Sequence, residues 1–146
     1  LASQARHKGR QVGALPITVV AGETRVLLVT SRDTGRWIIR KGWLEPDLSP
    51  GDCAAREAFE EAGAVGTLAR RPIGSFTYEK RLKDGRSLPC TVGVFPLRVE
   101  RLLKDWPEAN SRQRCWFTLA EAAERLAEAE LVALLQILPR PRRAAG

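Results

Sequence analysis

The stretch Ser49-Pro50-Gly51-Asp52-Cys53-Ala54-Ala55-Arg56-Glu57-Ala58-Phe59-Glu60-Glu61-Ala62-Gly63 carries a helix together with both of its ends. Ser49 suits the N-cap, Pro50 the first helical position, and Asp52 follows three residues after the cap. All three satisfy or tolerate the orphan backbone N–H groups of a first turn. The spacing predicts a helix from Pro50 to about Ala62, with Gly63 as its left-handed stop. At about 100° per residue, with Glu57 at zero, Glu60 and Glu61 fall at about 300° and 40°, while Ala55, Ala58, Phe59 and Ala62 gather between about 100° and 200°. One face is acidic and the other is core. Like charges three or four residues apart cost roughly 0.2–0.5 kcal/mol per pair, and only Arg56, four residues before Glu60, offers local relief. A divalent cation removes the repulsion, because hard ions such as Mg²⁺ take carboxylate oxygens and keep positions for water and phosphate. A solvated acidic surface on a good helix former is the competing reading of the same residues.

Upstream, residues 40–50 hold Gly42, Pro46 and Pro50 and read as a loop of about ten residues, a length that tends to be functional. Before it, residues 11–20, 26–30 and 37–39 are rich in β-formers and read as three short strands turning near Gly22 and Asp33-Thr34-Gly35. Downstream, residues 68–82 and 88–99 flank Lys83-Asp84-Gly85-Arg86, a strong hairpin signal. Residues 114–117 make a last strand. Thr118 with Glu121 forms a capping box for a helix to about residue 126, and a further helix covers about 128–138 before Pro139 and Pro141 end it. The sum is one α+β domain over residues 1–146, a mixed sheet with a few helices.

Composition narrows the class further. Hydrophobic residues at 44% and charged residues at 28% are those of a globular chain, which excludes collagen, extended disorder and a disulfide-stapled miniprotein. No apolar run reaches the roughly 18–20 residues that cross a bilayer, so no membrane partner is expected. Cys53, Cys90 and Cys115 are an odd set without a close CxxC pair, which predicts a reducing, cytoplasmic setting. The net charge of +7 sits largely in a basic arm, about 1–10, with Arg6, Lys8 and Arg10, and a basic tail, about 139–146, with Arg140, Arg142 and Arg143. Such ends read first as solvated tails and only second as nucleic-acid contacts. His7, the single histidine, lies in the arm, which leaves nothing for a Ser/His/Asp triad or a histidine zinc site. Neither a P-loop nor a GxGxxG fingerprint is present.

Gly42, Arg56, Glu57, Glu60, Glu61 and Gly63 in this spacing resemble the signature of the Nudix hydrolases. There a glycine, a glutamate six residues on, and an Arg-Glu…Glu-Glu…Gly run form a loop, helix, loop unit. Leu48 stands where the family has its first glutamate, with Glu45 and Asp47 as the nearby substitutes, and Ala58 and Ala64 are small versions of its aliphatic positions. The run from Val26 to Arg32, then Gly35-Arg36-Trp37, Asp105-Trp106-Pro107 and Arg114-Cys115-Trp116-Phe117, is similar to the diphosphoinositol polyphosphate and diadenosine polyphosphate hydrolase branch.

The resemblance implies a Nudix-like α/β/α sandwich, a mixed β-sheet flanked by helices. It also implies hydrolysis of a phosphoanhydride in a phosphorylated small molecule with Mg²⁺ or Mn²⁺. Carried over by motif position, Glu57 and Glu61 are metal ligands, Glu60 a ligand or water-orienting group, and the Gly42 carbonyl a further donor, while Arg56 holds the loop and Glu60. Arg40, in place of a frequent family proline, and Lys41 adjoin Gly42 and are candidates for substrate phosphates. Trp43 is a candidate for stacking on a base or for packing the loop, and Glu79 is the candidate general base. The alternatives are a nucleotide-binding module with weak catalysis, motivated by Leu48 and Arg40, and an RNA 5′-pyrophosphohydrolase, motivated by the basic ends.

Overall fold

The computed structural model describes residues 9–138; His7, most of the basic arm, Pro139, Pro141 and the basic tail lie outside them. Within these residues the β-formers of the first third make β1 (Arg10–Val20), β2 (Glu23–Thr30), β3 (Trp37–Ile38) and β4 (Lys41–Trp43). Helix α1 (Pro50–Ala62) follows, then β5 (Ala64–Leu68), β6 (Gly74–Arg81), β7 (Ser87–Leu102) and β8 (Arg114–Thr118), and finally α2 (Leu119–Arg125) and α3 (Ala129–Leu135). All the strands join one mixed sheet. Its path runs β3-β2-β1-β7-β5, with β4 on β1, β6 on β7 and β8 on β2. Only β1 and β7 run parallel, from Arg10 opposite Thr91 to Ile17 opposite Arg98.

Both faces of the central strands are apolar, so both need a cover. Val12, Ala14, Leu27, Val29, Phe95 and Leu97 pack under α1 through Ala54, Ala58 and Ala62. Leu15, Val26, Leu28, Phe76, Val92, Val94 and Phe117 pack on the other face against Ala122, Leu131 and Leu134 of α2 and α3. This is the expected α/β/α sandwich. No helix among the described residues is long and apolar enough to cross a membrane.

Several local expectations are corrected. The loop at 40–50 contains β4, which pairs antiparallel with Gln11–Gly13 of β1; three residues around a glycine are too few to give a strand pattern. The strand expected over 68–82 is two strands. One begins earlier, at Ala64, and the chain leaves the sheet through Arg70-Arg71-Pro72, where proline has no N–H to donate. β7 continues past residue 99 to Leu102 and serves two partners in turn, β6 along its first half and β5 along its second. The last helix ends at Leu135, short of 138. The hairpin at Asp84-Gly85 and the capping box of Thr118 and Glu121 form as expected.

β5 meets β7 through an irregularity between Val65 and Gly66. A Cβ at Gly66 would collide with the Arg98 carbonyl oxygen and stand 2.8 Å from its carbon. Because the obstacle is backbone inside a ladder, Gly66→Ala is expected to cost about 2–4 kcal/mol, read as a lower urea midpoint at unchanged slope.

Candidate active site

Helix α1 starts as its sequence dictates: the Ser49 hydroxyl accepts from the Asp52 N–H at 3.1 Å, and Pro50 occupies the first turn. It ends at Gly63, whose φ of 65° is the left-handed conformation that turns the chain into β5. Its last carbonyls are met by donors from the segment before β8 and from Arg114 at the start of that strand. The Glu108 N–H reaches the Glu60 carbonyl at 3.1 Å, the Trp106 indole N–H reaches Glu61 at 3.1 Å, and Arg114 Nη1 reaches Ala62 at 2.8 Å. Arg114 also lies 3.8 Å over the Trp106 ring. Orphan carbonyls and the negative end of the helix dipole are thereby satisfied, which fastens residues 106–114 against the acidic turn.

The helix is rolled relative to the expectation. Phe59, predicted for the core face, is 40% exposed, whereas Glu61 is only 5% exposed. The buried stripe runs through Cys53, Ala54, Ala58, Glu61 and Ala62, so Glu61, at about 40° on the wheel, lies on the core side of the acidic face. Counter-charge makes this possible. Arg40 Nη2 donates to Glu61 Oε1 at 3.1 Å with Arg40 Nε 3.0 Å from Oε2, and Arg112 Nε lies 2.6 Å from Oε2. Arg112 also donates to Glu108 Oε1 at 2.9 Å and to the Thr30 carbonyl at 2.9 Å. Burial pushes the Glu61 carboxyl above its ordinary range, opposed by Arg40. Burial also works to raise Glu108, but hydrogen bonds to Glu61 and Arg112 hold that carboxyl low.

The other motif residues have separate neighbours. The Glu57 carboxylate lies against the Cα of Gly42, in space that any Cβ there would fill; burial raises its pKa, opposed by Arg40. Glu60 stands 3.9 Å from Arg56, which also pairs with Glu45 of the loop. Of the two substitutes for the carboxylate missing at 48, Glu45 thus meets the motif arginine, while Leu48 packs into the core beneath α1. Lys41 and Trp43 flank Gly42 and by strand alternation face away from α1. Lys41 Nζ lies 4.2 Å over the Tyr78 ring and Lys80 Nζ 5.9 Å from the Trp43 ring. Burial lowers the Lys41 pKa, opposed by Glu128, and raises that of Tyr78 to about 12. The Tyr78 hydroxyl donates to Gln11 at 2.5 Å. Glu79 is exposed on β6 opposite Pro89, and among the described residues no hydrogen bond or ion pair joins it to the carboxylates of α1.

The carboxylate that the fold does bring beside Glu61 is Glu108, with Arg112 between them. Neither was singled out from the sequence, where Asp105-Trp106-Pro107 and the run from Arg114 carry the resemblance and Glu108 and Arg112 lie between them. Among the described residues no three acidic, cysteine or histidine side chains stand close enough together to enclose an ion. The donor chemistry nevertheless suits a hard cation: Glu57, Glu60, Glu61 and the Gly42 carbonyl are all oxygen donors. One of these oxygens, Glu61 Oε2, is buried and accepts no hydrogen bond.

A NUDIX domain model matches residues 8–136. Diphosphoinositol polyphosphate phosphohydrolase 3-beta of Bos taurus is 40% identical over 103 residues, covering 68% of this chain and 58% of that protein. Nudix hydrolase 12, mitochondrial, of Arabidopsis thaliana is 36% identical over 102 residues, covering 68% and 50%. The chain spans about half the length of these curated relatives. The crystal structure of a C. elegans Ap4A hydrolase binary complex shares the fold, with a TM-score of 0.64 at 22% identity over 87% of this chain and 92% of that one. With the family model running from the first strand to the last helix, over a motif helix in its expected place, the chain belongs to the Nudix family.

Proposed function

We propose that this domain hydrolyses a phosphoanhydride bond in a dinucleoside polyphosphate or a diphosphoinositol polyphosphate, with Mg²⁺ or Mn²⁺ as its cofactor. The observation that carries the reading is the Glu57 carboxylate seated on Gly42, one helical turn from the buried Glu61. Glu57, Glu60, Glu61 and the Gly42 carbonyl would hold the ion. When bound there, it neutralises phosphate charge and lowers the pKa of an attacking water.

The rest falls to the chain itself. Gly42 leaves room for a carboxylate beside the backbone, and the donors from residues 106–114 hold the last turn of α1, and with it Glu60 and Glu61, in place. Across β4, Lys41 and Lys80 bring two ammonium groups beside the Tyr78 and Trp43 rings, chemistry suited to a polyphosphate attached to a ring. The relatives named as phosphohydrolases of diphosphoinositol polyphosphates, and the fold shared with an Ap4A hydrolase, support these two substrate classes.

The test is a product-resolved assay of the full chain with Mg²⁺ or Mn²⁺ on a diadenosine polyphosphate, a diphosphoinositol polyphosphate and a 5′-triphosphorylated RNA. Two phosphorylated products from either of the first two are expected. Ligand binding by calorimetry without cleavage of any of them would instead favour a binding module.

A further inference from the structure

Two guanidinium groups hold Glu61, and they differ in how firmly the fold holds them. The Arg112 side chain is 3% exposed and tied to α1 through Glu61, to β2 through the Thr30 carbonyl and to its own segment through Glu108. Arg40 is 27% exposed, precedes β4, and closes on both oxygens of Glu61. Its Nε and Glu61 Oε2 are buried, yet neither makes a hydrogen bond of good geometry. The cluster is balanced in charge. Glu57, Glu61 and Glu108 face Arg40, Arg112 and, at the exposed rim 3.6 Å from Glu108, Arg32. Taking Arg40 away leaves the carboxylates in excess, and a divalent cation is the group that restores the balance.

Resting on the metal-dependent reading above, we propose that Arg40 is the resident counter-ion of Glu61 and competes with the divalent cation for that carboxylate, while Arg112 stays on Glu61 throughout. Arg40 Nε and Arg112 Nε both lie against Oε2, so an ion reaching that oxygen has to displace one of them, and Arg40 is the less firmly held. Each cation therefore binds at the expense of opening the Arg40 fork, and the apparent metal affinity is lowered by the fraction of molecules in which the fork is closed. Arg40 is in this sense a positioning residue: it presents Glu61 in the metal-free state and sets how readily the site loads.

Mn²⁺ alone, titrated into the full chain with the free ion followed by electron paramagnetic resonance, tests the competition. Arg40→Gln is expected to bind Mn²⁺ about tenfold more tightly than the unaltered chain, with Arg40→Lys between them because one ammonium cannot form the fork. In parallel thermal melts, Arg40→Gln is expected to melt lower than the unaltered chain in metal chelator, and the gap is expected to close as Mn²⁺ is added. Mn²⁺ bound by the unaltered chain and no more tightly by either variant overturns the competition and leaves the metal reading standing. Mn²⁺ bound by none of the three proteins overturns both. If Arg40→Gln does not fold, Arg40→Lys carries the comparison by itself.

Discussion

A Glu61→Gln chain is expected to lose turnover by on the order of 10²–10³-fold and to unfold more easily, both from one change. The loss of rate follows from replacing a charged oxygen with an amide where transition-state charge is to be stabilised through the ion. The loss of stability follows from burial: Glu61 is 5% exposed and faces Arg40 and Arg112, so the neutral side chain leaves two guanidiniums short of a partner. Breaking a buried pair from one side costs about 3–5 kcal/mol. Arg112 keeps Glu108 and the Thr30 carbonyl, so about 2–3 kcal/mol is expected here. Steady-state rates well below the unfolding temperature, alongside urea titrations, separate the two effects. A near-normal rate in the folded variant would remove Glu61 from the reaction.

Gly42→Ala, by contrast, is expected to lose activity while keeping its stability. A Cβ at Gly42 would collide with Oε1 of Glu57 and lie 2.6 Å from its Cδ. The obstacle is the free end of a flexible side chain, and Gly42 does not have a left-handed φ. The strand therefore accepts alanine with little change in the urea midpoint, while the Glu57 carboxylate is pushed off its seat. Displacing a reacting group by about 1 Å costs on the order of 10²-fold, so a fall in kcat of that size is expected. Full kcat in Gly42→Ala would show that Glu57 does not act from where it sits.

The parts of the fold written in short-range signals were legible in advance. Ser49, Pro50 and Gly63 bound α1 as their chemistry requires, Asp84-Gly85 makes its hairpin, and Thr118 with Glu121 caps α2. β4 and the split at 69–73 were not legible, since three residues give no alternation and a break inside a β-rich run depends on which neighbour each half finds. In the candidate site, the motif offered Glu57, Glu60 and Glu61 as candidates, but setting all three glutamates opposite the core face put Phe59 inside, where Glu61 is the one buried. The residues that reverse this, Arg40 and Arg112, come from before β4 and before β8, and nothing within a few positions of Glu61 announces them.

By itself, then, the sequence determined the helix, its stops, its acidic turn and the glycine that accompanies it, because caps, periodicity and spacing act within a few residues along the chain. Only the tertiary structure decided how far that helix rolls, which carboxylate is buried and which cations hold it. Burial energy and Coulomb attraction depend on distance in space, and the sheet sets those distances between residues far apart in sequence.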